Sequence, residues 1–318
     1  LTTAQVAALT TDQVVKLKTT VVAALTTAQI EALTTGQAAA LTTAQIQALT
    51  TAQVAAIEDA DLAAMGTDQI VALRTASIAA LTTDQIVALT TAQAAALTSA
   101  QLAALTTTQL IKMQTADLEA ISVAAITGLT TEQVAALTNA QVAALKTAQI
   151  AAMETDDIAA LTTGQIQALT AAQVAALTTD QVIGLTEAQV AAIETEDLVA
   201  MTTAQIAALT VGQIGALTNA QVAAIQGGDL ADMSVAQVQA FSAGQVAALT
   251  TSQIQSLTSA QIAGLDTDQV QALTTTQVAA IRSSGLSQMT TGQIVALTTA
   301  QVRALTTAQI VALTSTQI

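Results

Sequence analysis

The sequence predicts an all-α solenoid of very short helices, with one helix in each eight-residue repeat. The unit L-T-T-x-Q-[V/I]-x-A runs without insertion through thirty-nine complete octads from Leu1 and a partial unit, Leu313–Ile318. Its Thr and Gln have the spacing of a helix capping box. No proline interrupts the chain. A repeat this short and regular indicates units that pack mainly against their neighbours.

Each position of the octad, numbered 1 to 8 from Leu1 to Ala8, has a helical role. Thr at position 2 is expected to accept from the backbone N–H of position 5, while the Gln side chain at position 5 reaches back to the N–H of position 2. Leu at position 1 and Val or Ile at position 6 occupy the hydrophobic-staple positions. Position 4 is often acidic, which suits the positive end of a helix dipole. Ala at positions 7 and 8 extends the helix at little entropic cost.

The repeats contain an internal test of this cap. Nine octads lack Gln at position 5, and all nine also lack Thr at position 2, although only fourteen of the forty units lack that Thr. This coupling favours a reciprocal cap, and copying of one variant octad would produce it too. Five of the nine carry Asp at position 5 and Glu or Gln at position 2, which predicts that the short and long partners have exchanged places. The nine pairs, with position 2 first, are Lys18 and Val21, Glu58 and Asp61, Arg74 and Ser77, Gln114 and Asp117, Ser122 and Ala125, Glu154 and Asp157, Glu194 and Asp197, Gln226 and Asp229, and Arg282 and Gly285.

Two other folds compete with the short-helix solenoid. In one continuous helix, eight residues would rotate the apolar stripe by about 80° per unit, so no partner helix could follow it. A β-solenoid is the stronger alternative, because Thr, Val and Ile favour strands. The octad nevertheless lacks the two-residue alternation of a strand, and this favours helices.

The way in which the units pack follows from their apolar positions. Positions 1, 6 and 8 are expected to face the core, and positions 3, 4 and 7 the solvent. A triangle of mini-helices would leave little room for a core, so we expect about four octads per turn. Because no linker divides the chain, we expect residues 1–318 to form one uninterrupted solenoid domain, and we expect this domain to be a segment of a longer array.

Composition argues against most chemistries. The chain has no His, Cys, Trp or Tyr, and Phe241 is its one aromatic residue. We therefore expect no enzyme, no catalytic residue and no cofactor-binding site. The net charge of −15 argues against nucleic acid, whose binding depends on cationic contacts to phosphates. Mean hydropathy is high, at +0.59, yet Thr and Gln recur too often for a membrane span.

Calcium is the one ligand for which the sequence offers candidate residues. Three variant units place three carboxylates within four residues, and calcium takes six to eight oxygen ligands. A solvated acidic first turn, favoured by the helix dipole, is the competing interpretation. The regularly spaced Thr side chains also suggest an ice-binding surface as an alternative function. The calcium candidates are Glu58, Asp59, Asp61, Glu154, Asp156, Asp157, Glu194, Glu196 and Asp197.

The motif L-T-x-x-Q-[V/I]-x-A resembles the tandem octapeptide arrays of very large bacterial surface or secreted proteins, many of them adhesin-like. The resemblance extends from Leu1–Val6 to Leu313–Ile318. It implies a structural protein at the cell surface or outside the cell, forming a filament, stalk or adhesin shaft. Self-association, or association with longer copies of the same array, is the expected partnership, because an uncapped solenoid end exposes apolar surface.

Overall fold

The computed structural model describes all residues, 1–318, and contains thirty-nine helices of four to six residues and no strand. The all-α prediction is therefore confirmed, and the β-solenoid alternative is wrong. The chain divides into two compact units, Leu1–Leu161 and Thr162–Ile318, which are described separately. The prediction of one domain over residues 1–318 stays a prediction.

Unit 1 contains twenty helices. They are α1 Thr3–Ala7, α2 Thr11–Val15, α3 Thr19–Val22, α4 Thr27–Glu31, α5 Thr35–Ala40, α6 Thr43–Ala48, α7 Thr51–Ala55, α8 Asp59–Ala64, α9 Thr67–Ala72, α10 Thr75–Ala79, α11 Thr83–Ala88, α12 Thr91–Ala96, α13 Ser99–Ala104, α14 Thr107–Leu110, α15 Thr115–Ala120, α16 Val123–Ile126, α17 Thr131–Ala136, α18 Asn139–Ala144, α19 Thr147–Ala152 and α20 Thr155–Ala160.

Unit 2 contains the other nineteen. They are α21 Thr163–Gln167, α22 Ala171–Ala176, α23 Thr179–Gly184, α24 Glu187–Ala192, α25 Thr195–Ala200, α26 Thr203–Ala208, α27 Val211–Ala216, α28 Asn219–Ala224, α29 Gly227–Asp232, α30 Val235–Gln239, α31 Ala243–Ala248, α32 Thr251–Ser256, α33 Ser259–Gly264, α34 Thr267–Ala272, α35 Thr275–Ala280, α36 Ser283–Leu286, α37 Thr291–Ala296, α38 Thr299–Arg303 and α39 Thr307–Ala312.

Each helix begins directly after position 2, where the chain is extended. At Thr130, for example, φ is −90° and ψ is 156°, and the preceding Leu129 follows the short helix α16. Two to four non-helical residues therefore suffice to turn the chain from one helix into the next. No residue has a positive φ, so these turns require no glycine. Helices this short are unstable alone, and packing between them must supply their stability.

Within each unit, every helix packs against the third helix before it and the third helix after it. In unit 1, α2 contacts α5, α5 contacts α8, and the series continues to α20; in unit 2, α22 contacts α25, and so on to α37. One turn of the solenoid thus contains three octads, and the expectation of four was wrong. The expectation of four octads assumed that each helix needs the packing radius of a helix with long side chains on every side. Only positions 1 and 6 of each octad place apolar side chains in the core, and three helices are enough to close around them.

The core is built from positions 1 and 6. Leu137 and Val142 are typical members, 4% and 0% exposed. Positions 3, 4 and 7 face solvent, as expected, while Ala at position 8 is mostly half-buried rather than part of the core. The larger surprise is position 5, whose Gln side chains are buried throughout most of both units. No helix has both the length and the hydrophobicity that a membrane span requires.

Candidate functional site

The predicted capping box is present in the typical unit. The Gln133 backbone N–H donates to Thr130 Oγ1 over 3.3 Å, and the Thr130 N–H donates to Gln133 Oε1 over 2.9 Å. The same reciprocal pair occurs in helices of both units, including α5 and α28. The reading of positions 2 and 5 as a reciprocal cap is therefore confirmed for the typical octad.

The same glutamine has a second role, which the sequence analysis missed. Gln133 Nε2 donates to the carbonyl oxygens of Leu102, at 2.9 Å, and Leu105, at 2.6 Å, in the preceding turn. Leu102 is position 6 of the octad four octads earlier, and Leu105 is position 1 of the octad three octads earlier. We call the backbone carbonyls at these two positions the corner carbonyls. One buried side chain thus caps its own helix and satisfies carbonyls that the previous turn leaves without a partner.

A signal for this second role was present in the sequence. A capping box accepts Glu as readily as Gln at its last position. No unit of this chain has Glu at position 5. Glu would complete the cap, but an ionised Glu has no N–H to donate to the corner carbonyls. The frequent use of Gln and the complete absence of Glu at this position therefore indicate a second contact in which the side chain donates.

Several units without Gln at position 5 use a long side chain at position 2 to reach the preceding turn. Arg74 Nη2 donates to Leu49 O over 2.5 Å. A Gln in place of Ser77, at position 5 of the same octad, would reach the same carbonyl. Gln114 Nε2 donates to Val87 O over 3.0 Å, and Gln226 Nε2 to Val199 O over 3.2 Å. These side chains provide a hydrogen bond to the preceding turn in place of the missing Gln, but they do not cap their own helix. The predicted exchange of short and long capping partners is wrong, because position 2 provides no side-chain cap in these helices.

The nine calcium candidates separate into two groups by burial. Asp61, Asp157 and Asp197, at position 5, are buried, with exposures of 4%, 3% and 7%. The other six are exposed at positions 2, 3 or 4: Glu58, Asp59, Glu154, Asp156, Glu194 and Glu196. No three acidic side chains converge on a common point where they could hold a metal ion. Calcium binding stays a prediction, and the clustered carboxylates do not form a ligand cage by themselves.

Burial dominates the electrostatics of the aspartates at position 5. Burial raises the pKa of Asp61, Asp117, Asp157 and Asp197 above the usual range of an aspartate, because desolvation disfavours the charged form. Hydroxyl donors oppose this effect in part: Thr35 lowers the pKa of Asp61, and Thr91 that of Asp117. At Asp197 the neighbouring charges of Glu194 and Glu196 raise the pKa further.

Among the three acid-rich octads, Asp157 alone has a buried carboxylate oxygen without a hydrogen-bond partner. The backbone N–H of Glu154 donates to it, which keeps one half of the reciprocal cap. Its Oδ2 atom is buried and has no hydrogen-bond partner. Asp117 Oδ2 is the other buried carboxylate oxygen that has no hydrogen-bond partner. Unpaired buried carboxylate oxygens are costly, so each indicates a missing donor or ligand.

The acidic residues of unit 1 collect on one side of its triangular section. The acidic face consists of the octads of α2, α5, α8, α11, α14, α17 and α20, and the neutral face of those of α1, α4, α7, α10, α13, α16 and α19. The neutral face carries one acid, Glu31, together with Arg74 and Lys146. The acidic face carries nine of the thirteen acids of unit 1: Asp12, Glu58, Asp59, Asp61, Asp84, Glu132, Glu154, Asp156 and Asp157.

Comparison with known proteins identifies the repeat type. The model of the ALTTAQ repeat matches nine overlapping or adjacent stretches, which together include most of the chain. No curated protein matches the sequence. The matched stretches are residues 15–43, 22–51, 54–91, 110–147, 150–187, 190–226, 222–259, 254–283 and 286–318.

Proposed function

The chain belongs to the ALTTAQ repeat family, and from this premise we propose that it is the shaft of an extracellular filament, stalk or adhesin. The observation that carries the proposal is the uniform contact between turns. The same pair of corner carbonyls receives the same glutamine amide in successive turns, for example Gln133 in unit 1 and Gln213 in unit 2. Repeated identical contacts without loops favour a stiff, spacing function over recognition of one small molecule.

The surface supports the same proposal. The many exposed acids, together with the net charge of −15, favour solubility of a long array. The proposal assigns no catalysis, cofactor or nucleic-acid binding to the chain, in agreement with its composition.

Electron microscopy of the full-length natural protein tests the shaft. We expect rods of constant width whose length grows with the number of octads. A matched pair of proteins, one with twenty-four octads deleted in whole turns of three, should differ in length and not in width. Globular particles, or rods whose length ignores the deletion, would contradict the proposal. Antibody labelling of intact cells, compared with permeabilised cells, tests the extracellular location.

Self-association forms part of the proposal, and the charge distribution of unit 1 indicates where it would occur. Copies that meet through the acidic face would repel one another, whereas the neutral face carries few charges. On the neutral face, position 4 is alanine in all seven units: Ala4, Ala28, Ala52, Ala76, Ala100, Ala124 and Ala148. Small side chains there would allow a second copy of the chain to approach closely.

Sedimentation velocity with two matched triple variants tests this contact. Ala52→Glu, Ala100→Glu and Ala148→Glu add three charges to the neutral face. Gly36→Glu, Ala60→Glu and Thr108→Glu add the same charge at exposed sites of position 4 on the acidic face. We expect the first variant to disperse the assemblies and the second to leave them. Equal effects of the two variants would assign the loss to net charge and reject the neutral face as the contact.

A further inference from the structure

Replacing Gln by Asp at position 5 changes the chemistry of a corner. In a typical unit the amide nitrogen of Gln133 lies 2.9 and 2.6 Å from the two corner carbonyls. An aspartate is shorter and, when ionised, offers oxygen acceptors alone. The corner of an Asp octad then contains two carbonyl oxygens and a carboxylate, all of which are acceptors. In a typical octad the glutamine amide supplies a donor at this place.

Asp157 shows this arrangement most clearly. Its corner carbonyls are those of Ile126 and Leu129, by the register that Gln133 and the other glutamines follow. The Ile126 carbonyl accepts the backbone N–H of Leu129, and no side-chain donor reaches the Leu129 carbonyl. Asp157 itself is 3% exposed, and its Oδ2 atom has no partner. A buried carboxylate with one unpartnered oxygen thus lies at the position from which typical octads direct an amide to these carbonyls.

We propose that this corner binds a calcium ion through the carboxylate of Asp157 and the carbonyl oxygens of Ile126 and Leu129. Glu154, at position 2 of the same unit, and water would complete the ligand set. The ion takes the place of the glutamine amide: it links the two turns and compensates the buried charge. Asp61 with the carbonyls of Ile30 and Leu33, and Asp197 with those of Ile166 and Leu169, share the register, the burial and the Glu at position 2. At Asp61 the Thr35 hydroxyl also donates to the carboxylate.

The ligand type favours calcium over magnesium. Calcium accepts carboxylates and backbone carbonyls together at 2.3–2.6 Å and tolerates irregular geometry. The space that the amide nitrogen occupies in typical units, 2.9 and 2.6 Å from the two carbonyls of Gln133's corner, suits such an ion. Magnesium requires a near-octahedral shell and retains most of its water. The corner is buried and offers few fixed ligands, which disfavours a hydrated magnesium ion.

The other two aspartates at position 5 provide an internal contrast. Asp117 is also buried and unpartnered at Oδ2, but Gln114 directs its amide donor to Val87 O in the preceding turn. At Asp229 the Gln226 amide donates to Val199 O in the same way. In both octads the side chain at position 2 is a neutral amide that already bonds to the preceding turn, whereas Glu58, Glu154 and Glu194 offer a carboxylate. The proposal therefore assigns calcium to the three octads with Glu at position 2.

Calorimetric titration of calcium into the EDTA-treated full chain tests the proposal. We expect three calcium ions per chain and an increase in melting temperature on adding calcium, with a smaller increase for magnesium. The test variant converts the three units to the typical octad: Asp61→Gln, Asp157→Gln and Asp197→Gln together with Glu58→Thr, Glu154→Thr and Glu194→Thr. Because these are the commonest residues of the array, the variant should fold, and it should lose both calcium heat and melting shift.

A charge-matched control separates the corners from general acidity. Six exposed acids outside these three units are changed instead: Asp12→Ala, Asp68→Ala, Asp84→Ala, Glu119→Ala, Glu132→Ala and Asp180→Ala. This control should retain three sites. Absence of calcium heat in the natural chain overturns the proposal, and so does binding that survives conversion of the corners or is lost equally in the control. The shaft proposal does not depend on the result, since it is tested by rod length.

Discussion

Two neighbouring units, those of Gln149 and Asp157, differ in one essential contact. Neither has Thr at position 2, where Lys146 and Glu154 stand. Gln149 accepts the N–H of Lys146 over 2.7 Å and donates to Leu118 O and Ile121 O, at 2.9 and 2.8 Å. Asp157 accepts the N–H of Glu154 but directs no donor to the preceding turn. The comparison shows that Gln at position 5 supplies the donor that links the two turns and that Asp at this position does not.

The largest expected effect comes from removing the donor without changing shape. Gln149→Glu keeps the capping acceptor and places a buried negative charge beside two carbonyls. An uncompensated buried charge costs about 3–5 kcal/mol, so we expect a loss of that size in the free energy of unfolding. Urea unfolding followed by circular dichroism, with amide hydrogen exchange around α19, measures it.

Gln13→Glu is the matched control for this substitution. Gln13 forms the capping box with Thr10, but its side chain is exposed. Its replacement should therefore change the stability little. If Gln149→Glu is as mild as Gln13→Glu, the amide bond between turns does not stabilise the solenoid.

The reverse change should strengthen the weaker corner. Asp157→Gln with Glu154→Thr restores both the amide donor and the Thr cap. Satisfying a buried polar group recovers about 1–3 kcal/mol, and we expect a gain of this size in unfolding free energy in EDTA. Slower amide exchange in α16 and α20 would accompany it. Unchanged or faster exchange would show that the shorter aspartate is already satisfied in its corner.

The pH dependence of stability should separate the two kinds of corner. Asp61, Asp117, Asp157 and Asp197 have raised pKa values in the folded chain, so the folded state binds protons more tightly than the unfolded one. Their contribution is therefore most favourable below an unfolded pKa of about 3.9 and is lost as pH rises through the raised values. Urea unfolding in EDTA from pH 3 to 7 should show this decline. Changing all four to Gln should flatten it; an equally steep decline would assign it to the exposed acids.

The smallest expected effect is that of a single N-cap. Thr130→Ala removes the oxygen that accepts the Gln133 N–H but leaves the Gln133 amide bonds to Leu102 and Leu105. Loss of a Thr cap costs about 1 kcal/mol. We therefore expect a smaller loss in unfolding free energy than for Gln149→Glu. A larger loss would show that the cap, rather than the bond between turns, dominates.

Prediction from sequence succeeded where the determining contacts are local. Thr130 and Gln133 are three residues apart, so their reciprocal bonds follow from the octad alone. The contacts of Gln133 with Leu102 and Leu105 span 31 and 28 residues, and no periodicity of eight reveals which residues meet. The period of three octads is nevertheless visible in the sequence of unit 1, where every third octad, from that of Ala4 to that of Ala148, has Ala at position 4.

The candidate site followed the same division. The sequence identified the acid-rich units, because Glu58, Glu154 and Glu194 stand beside acids in unusual octads. It did not separate the buried Asp157 from the exposed Asp156, since both carboxylates lie in the same helical turn. Burial depends on the turn stacked below, and the carbonyl ligands that we propose come from that turn.

The sequence by itself determined the helices, their caps and the two apolar positions of the core, because these depend on residues within one octad. Only the tertiary structure decided that three octads form a turn. It alone also decided that Gln at position 5 is buried and that acids gather on one face of unit 1. The physical reason is that each of these depends on how closely successive turns approach. The packing of the core side chains and the buried amide set that distance, and both act between residues more than twenty positions apart.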